Sequence, residues 1–398
     1  MAASSPEDAV LAAVERHGDE LLELAVELVR VPSTLGDEEP AQRIVEEFLA
    51  ANGFDVLRVT PDAEAARADP LAGYPPLPYE GRSSVVGTLG GGRRLHLSGH
   101  VDVVPVDEPE RWTREPWSGA VVRGRLWGRG AGDMKAGLAA YLVAAAALAE
   151  TLDGASLVVS SVIEEECGGN GMWSVVRAGH TADATLIGEP TGLVLGHSGI
   201  GVVWARLDAA GDGGHAMGAA REGAFDRLAR GVAALRRLEA ELNEPVDGWP
   251  YGLNVGEIRG GVWTSSMPAR LTAHVRLGFG AELAPADAQR LIVERVREAV
   301  PEVEVEFEGF RARPYEHAHD GPIGLALRAA HRCLLGTEPE PLAVTATTDA
   351  RFVEGDCLCY GPTAGNLHGT DEWVDLESVR QTAAVVALAA ARFLQLTR

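Results

Sequence analysis

Ser156-Leu-Val-Val-Ser-Ser-Val-Ile163 is an almost unbroken run of aliphatic and small residues that leads directly into Glu164-Glu165-Glu166. Because its apolar residues do not alternate with charged ones, the run is typical of a strand buried on both faces of a sheet. The alanine-rich segment 134–149 just before it predicts a helix. Strands that alternate with helices in this way indicate an α/β fold, in which helices pack against a sheet.

The segments upstream of this run continue the same alternation. Ser5-Pro6-Glu7-Asp8 is typical of a helix start, and the apolar spacing predicts that one amphipathic helix continues to about Val29. A second helix is expected over 40–51, and a long loop rich in proline, alanine and glycine over 61–82. Strands are predicted over 54–59, 84–89 and 94–101.

The pattern changes near residue 200. Strands are predicted over 201–208, 253–258, 270–277 and 303–307, with helices over 224–243 and 285–299. This is an α+β unit with its own core, and helix–strand alternation resumes after it with a helix over 322–334. We therefore predict a catalytic domain made of residues 1–199 and 314–398, with residues 200–313 inserted into it.

Composition limits the possible partners. The 398 residues carry a formal net charge of −23, which argues against binding to nucleic acid or to an anionic membrane surface. The N-terminal MAASSPEDAV predicts no signal peptide, and the longest apolar segment, near 139–148, is too short to predict a membrane span. The four cysteines fit a reducing cytoplasm, and Cys357 and Cys359 are expected to be buried without forming a disulfide.

Imidazole and carboxylate side chains recur where predicted strands end. A borderline divalent metal such as zinc accepts both ligand types, and two metals that share one carboxylate need about five protein ligands. The candidates are His100, Asp133, Glu166, Glu189 and His368.

Two of these motifs have a simpler alternative. In His100-Val-Asp102, the carboxylate can hydrogen-bond one imidazole nitrogen while the other binds metal, but the pair also fits a polar strand edge. The glycine-rich segment 128–135 lacks the Gly-Lys-Ser/Thr ending of a phosphate-binding loop. It places Asp133 at a helix start, where this residue either bridges two cations or only caps the helix.

The acidic motifs are similarly ambiguous when taken singly. In Glu164-Glu165-Glu166, neighbours on an extended chain point in opposite directions, so one glutamate can bind metal while another acts as general base. The alternative is a solvated acidic turn. Glu189 closes another apolar strand, and the following Pro190 restricts it to an extended conformation.

Together these motifs resemble the M20 metallopeptidase family, in particular its branch of acetylornithine deacetylases and succinyl-diaminopimelate desuccinylases. The resemblance covers nearly the whole chain. Its motifs are His100-Val-Asp-Val-Val-Pro, Trp127-Gly-Arg-Gly-Ala-Gly-Asp-Met-Lys, Glu164-Glu-Glu-Cys-Gly-Gly, Gly188-Glu-Pro-Thr and His368-Gly-Thr-Asp-Glu-Trp. It implies a zinc-aminopeptidase-like catalytic domain, with a mixed sheet flanked by helices, and an inserted ferredoxin-like α+β domain that acts as lid and dimerisation unit.

The resemblance also implies roles for individual residues. One metal would be held by His100, Asp133 and Glu189, and the other by Asp133, Glu166 and His368. Glu165 would be the general base, Asp102 would support His100, and the peptide bond Asp133–Met134 would be cis. His215 of the lid would reach a neighbouring active site and stabilise the oxyanion, and Asn254 and Arg351 would bind substrate. Met217 departs from the small residue that is usual two positions after this histidine, and we expect it to alter the acyl pocket.

The implied function is an amidohydrolase that removes a small acyl group, of acetyl, formyl or succinyl type, from an N-acylated amino acid or related amine. Its cofactors would be two divalent ions, zinc first and cobalt or manganese as alternatives. The expected protein is a cytoplasmic homodimer that acts on a small molecule. Two alternatives stay open: a dipeptidase or aminopeptidase with the same metal centre, and a catalytically silent binding protein on this fold.

Overall fold

The computed structural model describes residues 5–217, 222–244 and 252–394. The α-helices within these ranges are α1 (Pro6–Arg16), α2 (Gly18–Arg30), α3 (Glu39–Ala51), α4 (Ala63–Ala68), α5 (Ala136–Thr151), α6 (Asn170–Arg177), α7 (Ala224–Asn243), α8 (Pro285–Ala299), α9 (Pro322–Leu335) and α10 (Leu376–Phe393). Three short helical turns, Pro109–Arg111, Ala131–Lys135 and Asp349–Phe352, lie between them.

The strands are numbered along the chain in the same way. They are β1 (Asp55–Val59), β2 (Ser84–Leu89), β3 (Leu95–His100), β4 (Ala120–Val122), β5 (Arg125–Trp127), β6 (Leu157–Val162), β7 (Ala184–Ile187), β8 (Leu195–Gly199), β9 (Gly201–Ala210), β10 (Gly214–His215), β11 (Gly252–Gly260), β12 (Ser266–Met267), β13 (Arg270–Phe279), β14 (Val303–Ala312), β15 (Tyr315–Glu316), β16 (Pro341–Ala343), β17 (Asp356–Cys359), β18 (Ala364–Gly365) and β19 (Trp373–Asp375).

The largest sheet is mixed and has the strand order β1-β2-β6-β3-β7-β17-β8-β15, with β16 beside β8. Its centre is parallel, because β3 runs parallel to both β6 and β7, and β7 parallel to β17. Every residue of β3, β6 and β7 is buried, which agrees with the run of aliphatic residues that predicted β6. The expected mixed sheet flanked by helices is therefore confirmed.

Helix α5 lies at the centre of the core around this sheet. Ala136 to Leu148 are all buried, and the helix contacts α1, α2 and α10 as well as β3. By length and composition alone the segment Ala131–Thr151 could cross a membrane, but 94% of its apolar window is buried inside the protein. Such burial is typical of the core helix of a globular domain.

Two predictions for the N-terminal region were wrong. The single helix expected up to Val29 is two helices, α1 and α2, which meet at His17 and Gly18. Glycine has poor helix propensity, and the break lets both helices pack against α5. The expected long loop over 61–82 contains α4, whose N-cap Asp62 accepts hydrogen bonds from the backbone N–H groups of Glu64 and Ala65.

A separate antiparallel sheet, with the order β11-β13-β9-β14, forms the region predicted to be inserted. Numbered along the chain, its strands follow the order 2-3-1-4, and α7 and α8 connect them as in the β-α-β-β-α-β arrangement of ferredoxin-like folds. Its apolar core, which includes Leu207, Leu235 and Ile292, is distinct from the core around α5. These separate cores support the domain boundaries at residues 199/200 and 313/314, which stay a prediction.

A small sheet, with the order β4-β5-β19-β18, brings the last part of the chain back to the large domain. Trp373 of β19 pairs with Trp127 of β5, and the backbone N–H of Gly128 donates to the carbonyl of Glu372 at 3.0 Å. The loop between β18 and β19 carries His368. The sheet therefore places this histidine beside the glycine-rich segment, more than 200 residues earlier in the chain.

Candidate metal centre

The candidate ligands gather at one edge of the large sheet. His100 is the last residue of β3, Glu164-Glu165-Glu166 follow β6, and Glu189 follows β7. Because these three neighbouring strands are parallel, their carboxyl ends meet at the same edge. The turn Ala131–Lys135 adds Asp133 from before α5, and the β18–β19 loop adds His368.

Asp133 lies between the two histidines. Its Oδ1 is 3.2 Å from His100 Nε2, and its Oδ2 is 3.5 Å from His368 Nε2. His368 Nε2 is also 3.1 Å from Oε2 of Glu166. Potential ligand atoms of His100, Asp133 and Glu166 all lie within 4.8 Å of one another, as a shared metal ion requires. The carboxylate of Asp133 thus presents one oxygen to each imidazole.

The prediction for Asp102 was wrong about the hydrogen-bonding atom. His100 Nδ1 donates to the backbone carbonyl of Asp102 at 2.8 Å, whereas the carboxylate Oδ1 is 3.7 Å from that nitrogen. The carboxylate instead accepts from the backbone N–H groups of Glu165 and Glu166, at 3.1 and 3.0 Å. β3 ends at His100, so the alternation of a strand no longer applies to Asp102. Since the carbonyl only accepts, Nδ1 carries the proton and Nε2 stays available as a ligand.

Glu372 fixes the backbone of the turn that holds Asp133. Its buried carboxylate accepts from the backbone N–H groups of Gly130, Gly132 and Asp133, at 3.1, 2.9 and 3.0 Å. Arg129 donates to the same carboxylate at 2.5 Å. The Asp133–Met134 peptide bond is cis, as the family resemblance predicted. Sequence reasoning gave Glu372 no role, although it lies in the quoted His368 motif.

The three consecutive glutamates have different environments. Glu164 is fully buried and accepts hydrogen bonds from Tyr79 Oη and Asn170 Nδ2, both at 2.9 Å. Its φ of 67° lies in the left-handed region and turns the chain sharply at the end of β6. Glu166 then faces His368, whereas Glu165 lies 3.8 Å from the guanidinium of Arg351.

Burial and mutual proximity shift the pKa values of these groups. Burial, followed by Asp349 and Glu189, raises the pKa of Glu165 well above its usual range. Burial, followed by Asp133, raises the pKa of Glu189 to about 8 and also raises that of Glu166. Hydrogen bonds to Asp133 and Glu166 raise the pKa of His368 to about 11. Carboxylates crowded together in this way favour cations among them.

A cavity of about 330 Å³ opens onto this cluster. Its lining includes the acids Asp133, Glu165, Glu166 and Glu189 together with His368, and it continues along Arg276. A second cavity of about 390 Å³ lies elsewhere, and its described lining contains none of the predicted site residues.

The cavity lining that the structure describes does not include His215, Met217, Asn254 or Arg351. His215 is exposed on β10, and its Nδ1 accepts from the backbone N–H of Met217 at 3.1 Å. Met217 is 87% exposed, so the expectation that it shapes the acyl pocket is not met within one chain. Asn254 is exposed on β11. Arg351 is buried and donates to the carbonyls of Gly168 and Thr348, at 3.0 and 2.8 Å.

Two residues near the cluster escaped prediction. Arg276 of β13 lines the cavity, and only the ordinary alternation of a strand marked it in the sequence. Asp349 is buried in the turn Asp349–Phe352, and its pKa is raised to about 7 by burial. It lies in the same Thr-Thr-Asp-Ala-Arg motif as Arg351, which was the available signal.

The sequence profile of peptidase family M20/M25/M40 matches residues 96–392 of this chain. Succinyl-diaminopimelate desuccinylase from Cereibacter sphaeroides (strain ATCC 17029) is 29% identical over 392 residues, covering 91% of this chain and 96% of that protein. The desuccinylase from Paracoccus denitrificans is 30% identical, covering 91% of this chain and 95% of that protein.

Solved structures show the same fold. The dipeptidase Dug1p from Saccharomyces cerevisiae superposes with a TM-score of 0.83 at 14% identity, covering 98% of this chain and 99% of that one. An M20 metallo-carboxypeptidase from Sulfolobus solfataricus gives a TM-score of 0.74 at 18% identity, covering 95% of this chain and 99% of that one. On the family match and the relatives, this chain belongs to peptidase family M20/M25/M40 and is a metal-dependent hydrolase that acts on an amide bond.

Proposed function

We propose that this protein uses two divalent metal ions to remove a small acyl group from an N-acylated amino acid or a related amine. The observation that carries the proposal is the placement of Asp133, whose two carboxylate oxygens face two different histidines. A carboxylate in this position can bridge two ions. The acyl group would be of acetyl, formyl or succinyl type, and relatives named succinyl-diaminopimelate desuccinylase support this class of reaction.

The donor set fits the proposed ions. His100, Asp133 and Glu189 would hold one ion, and Asp133, Glu166 and His368 the other. Two imidazoles with three carboxylates suit zinc best, and cobalt or manganese also accept these ligands. The raised pKa values of Glu166 and Glu189 support this assignment, because cations would stabilise the charged carboxylates. A solved M20 relative from Bacillus subtilis is described as a dinuclear metal-binding peptidase.

Glu165 is the proposed general base. When bound, the metal ions would polarise the amide carbonyl and lower the pKa of the attacking water. Glu165 lines the cavity, and its buried Oε1 accepts no hydrogen bond from any residue in the described ranges, so it is free to take a proton. The same carboxyl would then return this proton to the leaving nitrogen. Asp102 would act through its carbonyl on His100 and through its carboxylate on the backbone of Glu165.

Arg276 supports a substrate that carries a carboxylate. Its guanidinium lines the cavity and makes no ion pair or hydrogen bond with any residue in the described parts of the chain. A guanidinium binds a carboxylate through two parallel hydrogen bonds. We therefore assign the predicted carboxylate-binding role to Arg276. Arg351 would instead position the Asp349–Phe352 turn beside Glu165, because its two terminal nitrogens each donate to a backbone carbonyl.

We also infer a homodimer formed through the inserted domain. β11 is an edge strand of its sheet, and Ile258 on this strand and Val262 and Trp263 just after it are between 65% and 94% exposed. Exposed apolar side chains at a sheet edge favour association. In such a dimer, His215 and Asn254 would contribute to the partner's site. The reduced cysteines expected of this chain support a cytoplasmic location, and its acidity supports a small-molecule substrate over nucleic acid or membrane.

A dipeptidase is the second candidate. Dug1p and human carnosine dipeptidase 1 share the fold, with TM-scores of 0.83 and 0.79. A dipeptidase requires a free α-amine in its substrate, whereas a deacylase acts on a blocked one. The third candidate is a binding protein without catalytic activity. It requires that the five proposed metal ligands hold no metal.

The test combines one substitution with a substrate panel. Glu165→Gln should keep the metal content of the zinc- or cobalt-loaded protein, because Glu165 is not a proposed ligand. It should lose at least about 100-fold in kcat, because the proton acceptor is gone. Turnover would be measured on N-acetyl, N-formyl and N-succinyl amino acids beside dipeptides, with metal content measured by mass spectrometry.

Glu298→Gln provides the matched control, since Glu298 is exposed on α8. Unchanged turnover in Glu165→Gln would refute the base assignment. Hydrolysis of dipeptides alone would select the dipeptidase, and a protein that retains no metal after loading would revive the binding protein.

A further inference from the structure

One wall of the cavity beside the metal centre is apolar. We define the apolar wall as Val202, Trp204, Phe310, Leu342 and Val344, all of which line the cavity. The first three come from strands β9 and β14 of the inserted sheet, and the last two from β16 and the residue just after it. Trp204 and Phe310 pack edge to face, with their ring centroids 5.1 Å apart. This packing gives the wall a firm aromatic surface.

Arg276 stands directly beside this wall. It is the cross-strand partner of Trp204 in the β13–β9 pair, so both side chains leave the same face of the sheet. Directly opposite residues have Cβ atoms about 5 Å apart. The cavity thus offers one cationic donor group and one aromatic surface as immediate neighbours. The charged lining outside the metal cluster consists, among the described residues, of Arg276 alone.

The arrangement matches the chemistry of an α-amino acid. Its carboxylate and its side chain leave the same carbon atom, so the groups that bind them must be neighbours. We propose that Arg276 binds the α-carboxylate of the substrate while the apolar wall binds its side chain. The substrate class is then an N-acyl α-amino acid with an aromatic or large aliphatic side chain. This inference rests on the proposed function and narrows it.

A second charged group on the amino acid would be unfavourable here. The side chain of an N-acylated ornithine, glutamate or diaminopimelate would place its charge against the apolar wall, where it loses water without gaining a hydrogen-bonding partner. An aromatic or branched side chain instead removes apolar surface from water on both partners. We expect kcat/KM to favour N-acetylphenylalanine and N-acetylleucine over N-acetylglycine by about 10- to 100-fold.

The test measures this selectivity in the zinc-loaded full chain. Substrates are N-acetyl derivatives of phenylalanine, leucine, glycine, ornithine and glutamate, together with N-acetylphenylalanine amide, which lacks the carboxylate. Trp204→Ala should reduce the preference for phenylalanine over glycine by about tenfold, because it lowers kcat/KM for N-acetylphenylalanine more than for N-acetylglycine. Arg276→Leu should reduce kcat/KM for N-acetylphenylalanine by a larger factor than kcat/KM for its amide.

Two further variants guard against misfolding and unspecific effects. Leu342 is 39% exposed, so Leu342→Glu tests the wall without disturbing a buried core, and it should also weaken the phenylalanine preference. Phe225→Leu is the control, since Phe225 is 64% exposed on α7 outside the cavity lining. It should keep wild-type selectivity.

The outcomes separate this inference from the proposed function. Hydrolysis of the N-acetyl amino acids with a preference for ornithine or glutamate would overturn the inference and leave the deacylase intact. Equal kcat/KM values for N-acetylphenylalanine and N-acetylglycine would also overturn the inference. So would a wild-type preference for N-acetylphenylalanine in both Trp204→Ala and Leu342→Glu. A metal-loaded protein that cleaves no N-acyl amino acid would overturn both.

Discussion

At the scale of single residues, buried carboxylates in this protein serve two different purposes. Glu164 and Glu372 are completely buried, and the protein itself supplies hydrogen-bond donors to one oxygen of Glu164 and to both oxygens of Glu372. Glu165 and Glu189 line the cavity instead, and their pKa values are raised by burial and by neighbouring acids. Glu372 stabilises the turn that presents Asp133, whereas Glu165 and Glu189 face the cavity themselves.

Glu372 provides a test of this division at the residue scale. In Glu372→Gln, an amide N–H₂ would face backbone N–H groups of the Asp133 turn, and Arg129 would lose its buried counter-charge. We expect unfolding free energy to fall by about 2–4 kcal/mol. Metal affinity should also fall, because Asp133 is no longer held in place. Urea unfolding and metal titration measure the two effects.

The control is Glu377→Gln, an exposed residue in the first turn of α10. It should leave both quantities within about 0.5 kcal/mol of wild type. Normal metal affinity in Glu372→Gln would show that the turn holds its shape without this carboxylate.

At this scale, the sequence was enough to name candidate site residues by their chemical type, but not to predict which atoms they contact. The five candidate ligands and Glu165 could be named because imidazole and carboxylate groups at strand ends are chemically distinctive. The partner of His100 was misassigned, since β3 ends at His100 and the chain direction changes before Asp102. Arg276 was missed because nothing local separates a cavity-lining arginine from a solvent-exposed one on a strand.

At the scale of secondary structure elements, close packing between α5 and β7 positions one side of the site. Gly137 of α5 approaches the chain just after β7 so closely that an added Cβ would lie 2.0 Å from the carbonyl oxygen of Gly188. Glu189 is the next residue. A glycine at position 137 therefore lets the helix approach the end of β7 that carries the proposed metal ligand.

Gly137→Ala tests this contact. The methyl group must push α5 and β7 apart, so we expect a loss of roughly 3 kcal/mol in unfolding free energy. Metal binding should weaken as well, because Glu189 moves with the backbone of Gly188. Thermal unfolding with and without added zinc reports both changes.

Gly18→Ala is the matched control in another helix. Its added Cβ would meet nothing within 4 Å, so it should be neutral or stabilise by about 0.4–1 kcal/mol. If Gly137→Ala behaved in the same way, the proposed link between helix packing and Glu189 would fail.

Helices and strands with a long, regular apolar pattern could be predicted from the sequence. The break between two helices and the presence of a short helix could not. The buried strand β6 and helix α5 follow from long apolar runs. The division between α1 and α2 depends on how both helices pack on α5, and α4 is only six residues long. Tertiary contacts decide such features, because short helices are only marginally stable alone.

At the scale of the whole molecule, the inserted domain carries its proposed site residues in two different places. Trp204 and Arg276 line the cavity of the same chain, whereas His215 and Asn254 do not. The sequence indicated an inserted domain with its own core. It could not indicate which active site each residue of that domain faces, because this depends on how the domains are arranged. The dimer inferred above would give His215 a site in the partner.

Mixed dimers can test this placement of His215. Glu165→Gln and His215→Ala should each be nearly inactive alone, the first for lack of the base and the second for lack of the oxyanion donor. If His215 acts in the partner's site, a dimer of the two variants contains one site with both groups intact. Refolding or coexpressing equal amounts should then restore about a quarter of wild-type activity, because half of the dimers are mixed and each has one complete site of two.

The same experiment distinguishes the other arrangements. If His215 acted within its own chain, every site in the mixture would lack one group and no activity would return. Mixing Glu165→Gln with Glu372→Gln gives the control, since both residues act in the chain that carries them. Every site in that mixture carries one defect, so its activity should equal the average of the two parents. Activity above that average in the His215 mixture, together with a dimeric mass in solution, would assign the lid histidine to the partner subunit.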